Sequence, residues 1–167
     1  MKNFLLPIFL LLGVFAHSQI VNIPDANFKH TLLNIACVDT NNDGSPDSDA
    51  DLNNDGEIQV SEAEAVWYLS VYKLTSVPDS EKISSLEGIQ SFTNLRRLKC
   101  WNNLLTELDL SQNLNLNSLD CRLNRLTTLN VSQNTGLFGL TCSSNLLTDL
   151  DVSNNVNLNS LRCSDNM

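Results

Sequence analysis

The chain has 167 residues, a formal net charge of −9 and 42% hydrophobic residues, enough for one cored domain or a small domain with an appendage. The acidic excess argues against nucleic acid and anionic membrane surfaces as partners, because both demand basic patches. The acidity is local: the 26 residues from Asp39 to Glu64 hold nine acids and no Lys or Arg, whereas the other 141 hold ten acids and ten bases.

Residues 1–18 read as a secretory signal peptide. Lys2 gives a positive start, Phe4 to Phe15 an apolar core, and Ala16-His17-Ser18 a small-x-small cleavage site. The apolar run is too short to span a bilayer, so the mature chain is expected to start at Gln19, exported and with no transmembrane segment.

Residues 19–65 read as a helical cap carrying calcium-binding loops. Its helix runs through Pro24–Ala36, with Phe28, Leu32, Leu33 and Ile35 on one side. Downstream, Asp51-Leu-Asn53-Asn-Asp55-Gly56-Glu57-Ile58-Gln59-Val-Ser-Glu62 fits the EF-hand loop D-x-[DN]-x-[DN]-G-x5-E at every position. Asp51, Asn53 and Asp55 supply alternate side-chain oxygens and Gly56 makes the sharp turn. The Glu57 carbonyl follows, Gln59 reaches directly or through water, and Glu62 closes the shell with two oxygens. Ser61 or Glu62 is expected to open a short helix.

An upstream stretch begins in the same way, with Asp39, Asn41, Asp43 and Gly44, but has Ala50 where the closing Glu belongs. It resembles the Asp-rich calcium repeats of thrombospondin type 3. That resemblance implies a second, weaker site using Asp39, Asn41, Asp43, Asp47 and Asp49, with Asp51 shared. The alternative is a flexible acidic insertion. The Pro24-Asp-Ala-Asn-Phe-Lys29 opening followed by a calcium loop resembles the amino-terminal cap of many secreted bacterial repeat proteins. The expected cofactor is structural Ca²⁺.

Residues 66–167 are repeats, incomplete at the carboxy terminus. Cys100, Cys121, Cys142 and Cys163 stand 21 residues apart within L-x-x-L-x-C-x-x-N-x-L-T-x-L-D-[LV]-S-x-N-x-x. This is the leucine-rich-repeat pattern, with one short strand per turn. Leu98-x-Cys100 alternates as a strand with both side chains inward. Asn103, Asn124, Asn145 and Asn166 should form a ladder of buried amides that satisfies backbone groups left open by the turns. Val66-x-x-Leu69-x-Val71 reads as the first strand. The predicted fold class is a leucine-rich-repeat solenoid of 21-residue turns and short parallel β-strands with a small EF-hand-like cap. In-register thiols have poor geometry for disulfides and cannot form a closed tetrahedral metal cage. Buried free thiols, acting as small hydrophobes, are the expected state.

The 21-residue, Cys-containing frame resembles the internalin-type bacterial surface proteins. So does the preceding 22-residue turn, Ile83-Ser-Ser-Leu86-Glu-Gly88-Ile89-Gln-Ser-Phe92-Thr-Asn-Leu95. The resemblance implies a secreted or cell-surface location and non-catalytic recognition of, or adhesion to, an extracellular protein or glycan through the strand face. The alternative is a structural spacer, or a fragment of a larger surface protein, whose only intrinsic activity is calcium binding.

Outward positions at the upstream end of the face are Arg97, Lys99 and Trp101, followed by Asp120 and Arg122. Trp101 beside Arg122 suits an interaction hot spot, or else Trp101 covers the junction with the cap. The later turns offer Gly139, Thr141, Ser143, Ser160, Arg162 and Ser164, a bland surface. Asn130-Val-Ser132 is a formal glycosylation sequon in the repeat's Asp/Asn slot. The chain stops at Met167 within a repeat, which predicts a fragment with an association-prone edge. His30 and Cys37, seven residues apart, are expected on one helix face, but no third group or oxyanion hole accompanies them. Asp55 and Glu62 are better read as ligands than as a glycosidase pair. No enzyme is expected.

Overall fold

The computed structural model describes residues 19–167, and the expected signal peptide at residues 1–18 lies outside the described residues. The chain forms a parallel β-solenoid with a small amino-terminal helical region. In chain order the elements are α1 (Ala26–Asn34), α2 (Val60–Ala65), β1 (Tyr68–Ser70), β2 (Arg97–Lys99), β3 (Ser118–Asp120), β4 (Gly139–Thr141) and β5 (Ser160–Arg162). The five strands form one parallel sheet in sequential order. Its register repeats every turn: Leu69, Leu98, Leu119, Leu140 and Leu161 are direct neighbours.

The 21-residue period builds this stack because a three-residue strand cannot bury an apolar face unless the next turn covers it. Leu95, Leu98, Cys100, Leu105 and Leu110 point inward, and each is at most 1% exposed; their counterparts one turn on repeat the burial, as do Leu137, Leu140, Cys142 and Leu147 two turns on, while Val152 is half-buried. Burying such an aliphatic side chain stabilises by about 1.5–3 kcal/mol. All five cysteines are free: Cys37, Cys100, Cys121 and Cys142 are buried, and Cys163 is exposed. Burial pushes the Cys100 and Cys121 thiols well above their ordinary pKa. They act as small apolar groups.

The expected amide ladder is present. Asn124 Nδ2 donates to the carbonyls of Cys100 and Cys121, at 3.0 Å each. Its Oδ1 accepts from Leu105 N at 3.1 Å. Asn145 repeats this with Cys121, Cys142 and Leu126, and Asn103 with Val71, Cys100 and Ile83. A second ladder runs along the opposite side of the turns. Asn134 Nδ2 donates to Leu110 O and Asn113 O, and Asn155 Nδ2 to Val131 O and Asn134 O. In this ladder the Oδ1 atoms of Asn113, Asn134 and Asn155 have no hydrogen-bond partner.

The cap closes the upstream edge. Val38 bridges antiparallel to Leu69, and Ser70 N donates to Cys37 O, so the edge of β1 is already paired. Asp25 caps α1 through Oδ1 to Phe28 N. Its Oδ2 accepts from Ser84 N, Ser84 Oγ and Ser85 N in the following solenoid turn. Asn27 donates to Ser80 O and Lys82 O. The Pro-Asp-Ala-Asn opening is thus a docking device. Gly88, at φ +100°, lets the 21–23 segment approach closely: a Cβ there would stand 2.7 Å from Asn22 O.

Two local expectations are corrected. Helix α1 ends at Asn34, and Ile35 is extended and 48% exposed, because the chain turns there toward the sheet edge. Helix α2 begins at Val60, earlier than expected, because Gln59 and Glu62 form a capping box around its start. Among the described residues no helix is long and apolar enough to cross a membrane.

Candidate functional site

The two acidic loops are built alike. Each carries a left-handed Asn two residues before a left-handed Gly: Asn42 and Gly44 at φ 64° and 89°, Asn54 and Gly56 at 59° and 85°. In each, the leading aspartate accepts from that glycine's N–H, Asp39 Oδ2 from Gly44 at 2.7 Å and Asp51 Oδ2 from Gly56 at 2.9 Å. Asn41 Oδ1 and Asp43 Oδ1 accept from backbone N–H groups two residues on, as Asn53 Oδ1 and Asp55 Oδ1 do.

The loops differ in how they close. Glu62 reaches back over the second loop, accepting from Asn53 N at 3.1 Å and Gln59 N at 2.9 Å. The first loop has buried Ala50 at that position. There Asp47 folds onto Thr40, accepting from its N–H and hydroxyl, while Asp49 lies near enough to Cys37 to raise that thiol's pKa.

Asp51, Asn53, Asp55, Gln59 and Glu62 therefore share one hydrogen-bonded loop, but their polar atoms are turned toward the chain's own donors. Asn53 Nδ2 donates to Asp55 Oδ2 and to Gln59 Oε1. Gln59 Nε2 donates to both Asp55 oxygens, at 3.0 and 2.8 Å. The Gln59 amide chiefly, with the Glu57 N–H, holds the Asp55 carboxyl below its usual pKa. The Glu57 side chain pairs with Lys29 Nζ at 2.7 Å. Among the described residues, no three His, Cys, Asp or Glu side chains are grouped to hold a metal ion. The oxygen inventory of a calcium loop is present, and amide N–H groups stand between its carboxylates. A half-turn of the Gln59 amide would present an oxygen to the same space.

On the strand face, Trp101 is the centre of a stack drawn from three turns. Tyr72 lies against it with ring centroids 4.4 Å apart and planes 8° from parallel. Arg122 lies over the Trp101 ring with Cζ 5.2 Å from the centroid. Arg122 also faces Asp120, Nε to Oδ1 at 3.7 Å. Partial burial raises the pKa of Asp120, against the pull of Arg122 and Lys99. Beside the stack, Arg97 and Lys99 both lie over the Tyr68 ring, at 5.0 and 5.5 Å. The structure thus unites all five expected face residues with Tyr68 and Tyr72, which the sequence reading passed over. Their signal was available: Tyr68 and Ser70 pair in register with Arg97 and Lys99.

His30 and Cys37 do not share a helix face. Cys37 lies beyond the end of α1, fully buried, and burial chiefly, with Asp49, pushes its thiol up to about 12. His30 is exposed. A thiol so protonated is no nucleophile at neutral pH. Asn130 accepts from Ser132 N through its side chain, as Asp109 does from Ser111, so the sequon is the repeat's turn.

No protein-family model and no curated protein matches the chain. Among solved structures, the functional domain of InlJ from Listeria monocytogenes, which includes a cysteine ladder, is 33% identical over 89% of this chain, with a TM-score of 0.67. The chain is an internalin-like leucine-rich-repeat solenoid. It covers 29% of the InlJ structure's length. The internalin inlF from Listeria monocytogenes is 20% identical over 92% of this chain, with a TM-score of 0.59; it shares the fold, and the chain covers 47% of it. Within this chain's own repeat, the buried Cys100, Cys121 and Cys142 belong to the scaffold, and the aromatic and cationic side chains of the first three strands depart from it.

Proposed function

We propose that this chain is a non-catalytic recognition module, exported and displayed by a bacterium, which binds an extracellular protein or glycan through the upstream end of its strand face. The Tyr72–Trp101–Arg122 stack carries this reading. It places a large aromatic surface and a planar cation, the side-chain types enriched at binding hot spots, in a preorganised row. The row costs little further ordering entropy on binding. Replacing Trp101 by Ala tests the reading: binding of the purified chain to host cells or extracellular matrix is expected to fall about tenfold or more. Unchanged binding would favour a spacer role.

The same proposal makes Ca²⁺ the organiser of the cap. Two loops of matching backbone geometry, each led by an aspartate and turned by a glycine, crowd carboxylates that no Lys or Arg of the segment neutralises. Asp51, Asn53, Asp55, the Glu57 carbonyl, Gln59 and Glu62 would hold the first ion. Asp39, Asn41 and Asp43, with Asp47 and Asp49 if Asp47 leaves Thr40, would hold a weaker second one. Extracellular modules bind calcium with Kd of about 10⁻⁴–10⁻³ M, so millimolar calcium would fill the first loop. The melting temperature is expected to rise in calcium over chelator; no shift removes the ion from the proposal.

A further inference from the structure

A cleft lies in the corner where the cap meets the strand face, and it adjoins the Trp101 stack through Tyr72. Its volume is about 450 Å³, within the range of small-ligand sites. The first acidic loop forms one wall through Gly44, Ser45 and Pro46, and Tyr68, Ser70, Tyr72 and Lys99 form the other.

Three features of this wall specify a ligand. Ser70 is 8% exposed and its hydroxyl has no hydrogen-bond partner. A buried hydroxyl left unpaired is costly, and an incoming polar group would satisfy it. Lys99 Nζ is steered over the Tyr68 ring, and among the described residues no carboxylate lies within ion-pair distance of it. Tyr72 gives one ring face to Trp101, leaving its other face for a flat apolar surface. A hydroxyl partner, a fixed cation and an aromatic plane together match a sugar ring bearing a carboxylate.

An extended peptide fits less well. Peptides bind sheets by adding a strand, and β1 is engaged on both sides, through Ser70 N to Cys37 O and Val71 N to Lys99 O. Recognition in this corner therefore runs through side chains. We infer that the corner cleft between the Gly44–Pro46 loop and the Tyr68–Tyr72 strand binds the acidic sugar at the end of a glycan, its carboxylate on Lys99 and a hydroxyl on Ser70. This rests on the proposed recognition role and names its ligand class.

The test is calorimetric titration of the full chain, in calcium, with sialyllactose, with a glucuronic-acid-terminated disaccharide, and with each sugar after reduction of its carboxylate to an alcohol. At least one acidic sugar is expected to bind, about tenfold more tightly than its reduced form. Lys99→Met should erase that difference, and Ser70→Ala should weaken acidic and reduced sugars alike without lowering the melting temperature. Equal binding of acidic and reduced forms, no binding of any sugar, or binding untouched by Lys99→Met overturns the inference. So does a Glu-rich dodecapeptide that binds and is blocked by Lys99→Met while the sugars fail. If Trp101→Ala abolishes matrix binding and Lys99→Met does not, only the cleft assignment fails. If neither variant changes matrix binding, the recognition reading fails with it.

Discussion

The upstream and downstream halves of the solenoid share a scaffold and differ in what they display. Strands β2 to β5 pair in one unchanging register, and Asn124 and Asn145 make equivalent bonds one turn apart. Outward, however, β2 and β3 with their flanks carry Arg97, Lys99, Trp101, Ser118, Asp120 and Arg122. At the same positions β4 and β5 carry Gly139, Thr141, Ser143, Ser160, Arg162 and Ser164. The repeated residues hold the fold, and recognition is assigned to those that depart from the repeat. The contrast concentrates the proposed function next to the cap, where the first acidic loop walls the cleft.

The uniformity of the scaffold is the easiest part to break. Asn124→Ala strands the buried Leu105 N–H and Asn145→Ala the buried Leu126 N–H, while the Cys100, Cys121 and Cys142 carbonyls each keep the amide of a neighbouring ladder Asn. Each substitution should cost about 2 kcal/mol in urea unfolding. Two unequal losses would show that the turns are not equivalent. Asn134→Ala strands no group, because Leu110 O and Asn113 O keep the N–H groups of Asn113 and Leu116, and it removes an oxygen that was already unpartnered, so about 1 kcal/mol is expected.

The buried thiols give a pH dependence. The Cys37 pKa stands at about 12 in the folded chain against 9.0 ordinarily. Between those values the unfolded chain loses the proton and the folded chain keeps it, so this contribution is complete below pH 9 and lost as the pH climbs toward 12. The melting temperature should fall steadily from pH 9 to pH 11, and a flat profile would show that the thiols are not held neutral by burial. At pH 8, in native protein, a thiol reagent should label Cys163 quickly and the four buried cysteines only on unfolding.

The smallest effect concerns Leu123, exposed and at φ 56° before the ladder Asn124, where Asn102 occupies the equivalent site one turn earlier. Leu123→Asn should stabilise by about 0.5 kcal/mol, because Asn tolerates this conformation better. Destabilisation would mean that the Leu123 side chain packs more than its exposure indicates.

The same division explains what the sequence disclosed. The period exposed the scaffold: the inward Leu and Cys columns and the Asn103–Asn166 ladder follow from spacing, since each turn must solve one burial problem in one way. The second ladder, Asn113, Asn134 and Asn155, was visible as a repeated residue but not as a set of bonds, because its carbonyl partners lie on neighbouring turns. The face was half legible. Trp101 and Arg122 stood out against the consensus, whereas Tyr72 was passed over although Leu69-x-Val71, read as the first strand, sets it at the position of Trp101. The positions of a calcium loop could be read, but which way the Gln59 amide turns is decided by neighbours that a linear motif does not contain. Cys37 and His30 were misplaced because an end of α1 three residues before Cys37 is invisible to a seven-residue spacing.

The most direct test of the account sets the two halves of the face against each other in one assay. The chain carrying Trp101→Ala and Arg122→Ala is compared with a chain carrying Thr141→Ala and Arg162→Ala, each checked for an unchanged melting temperature, for binding to the same matrix preparation. The account predicts that the first pair loses binding about tenfold or more and the second keeps it; equal loss in both pairs, or loss only in the second, would contradict it.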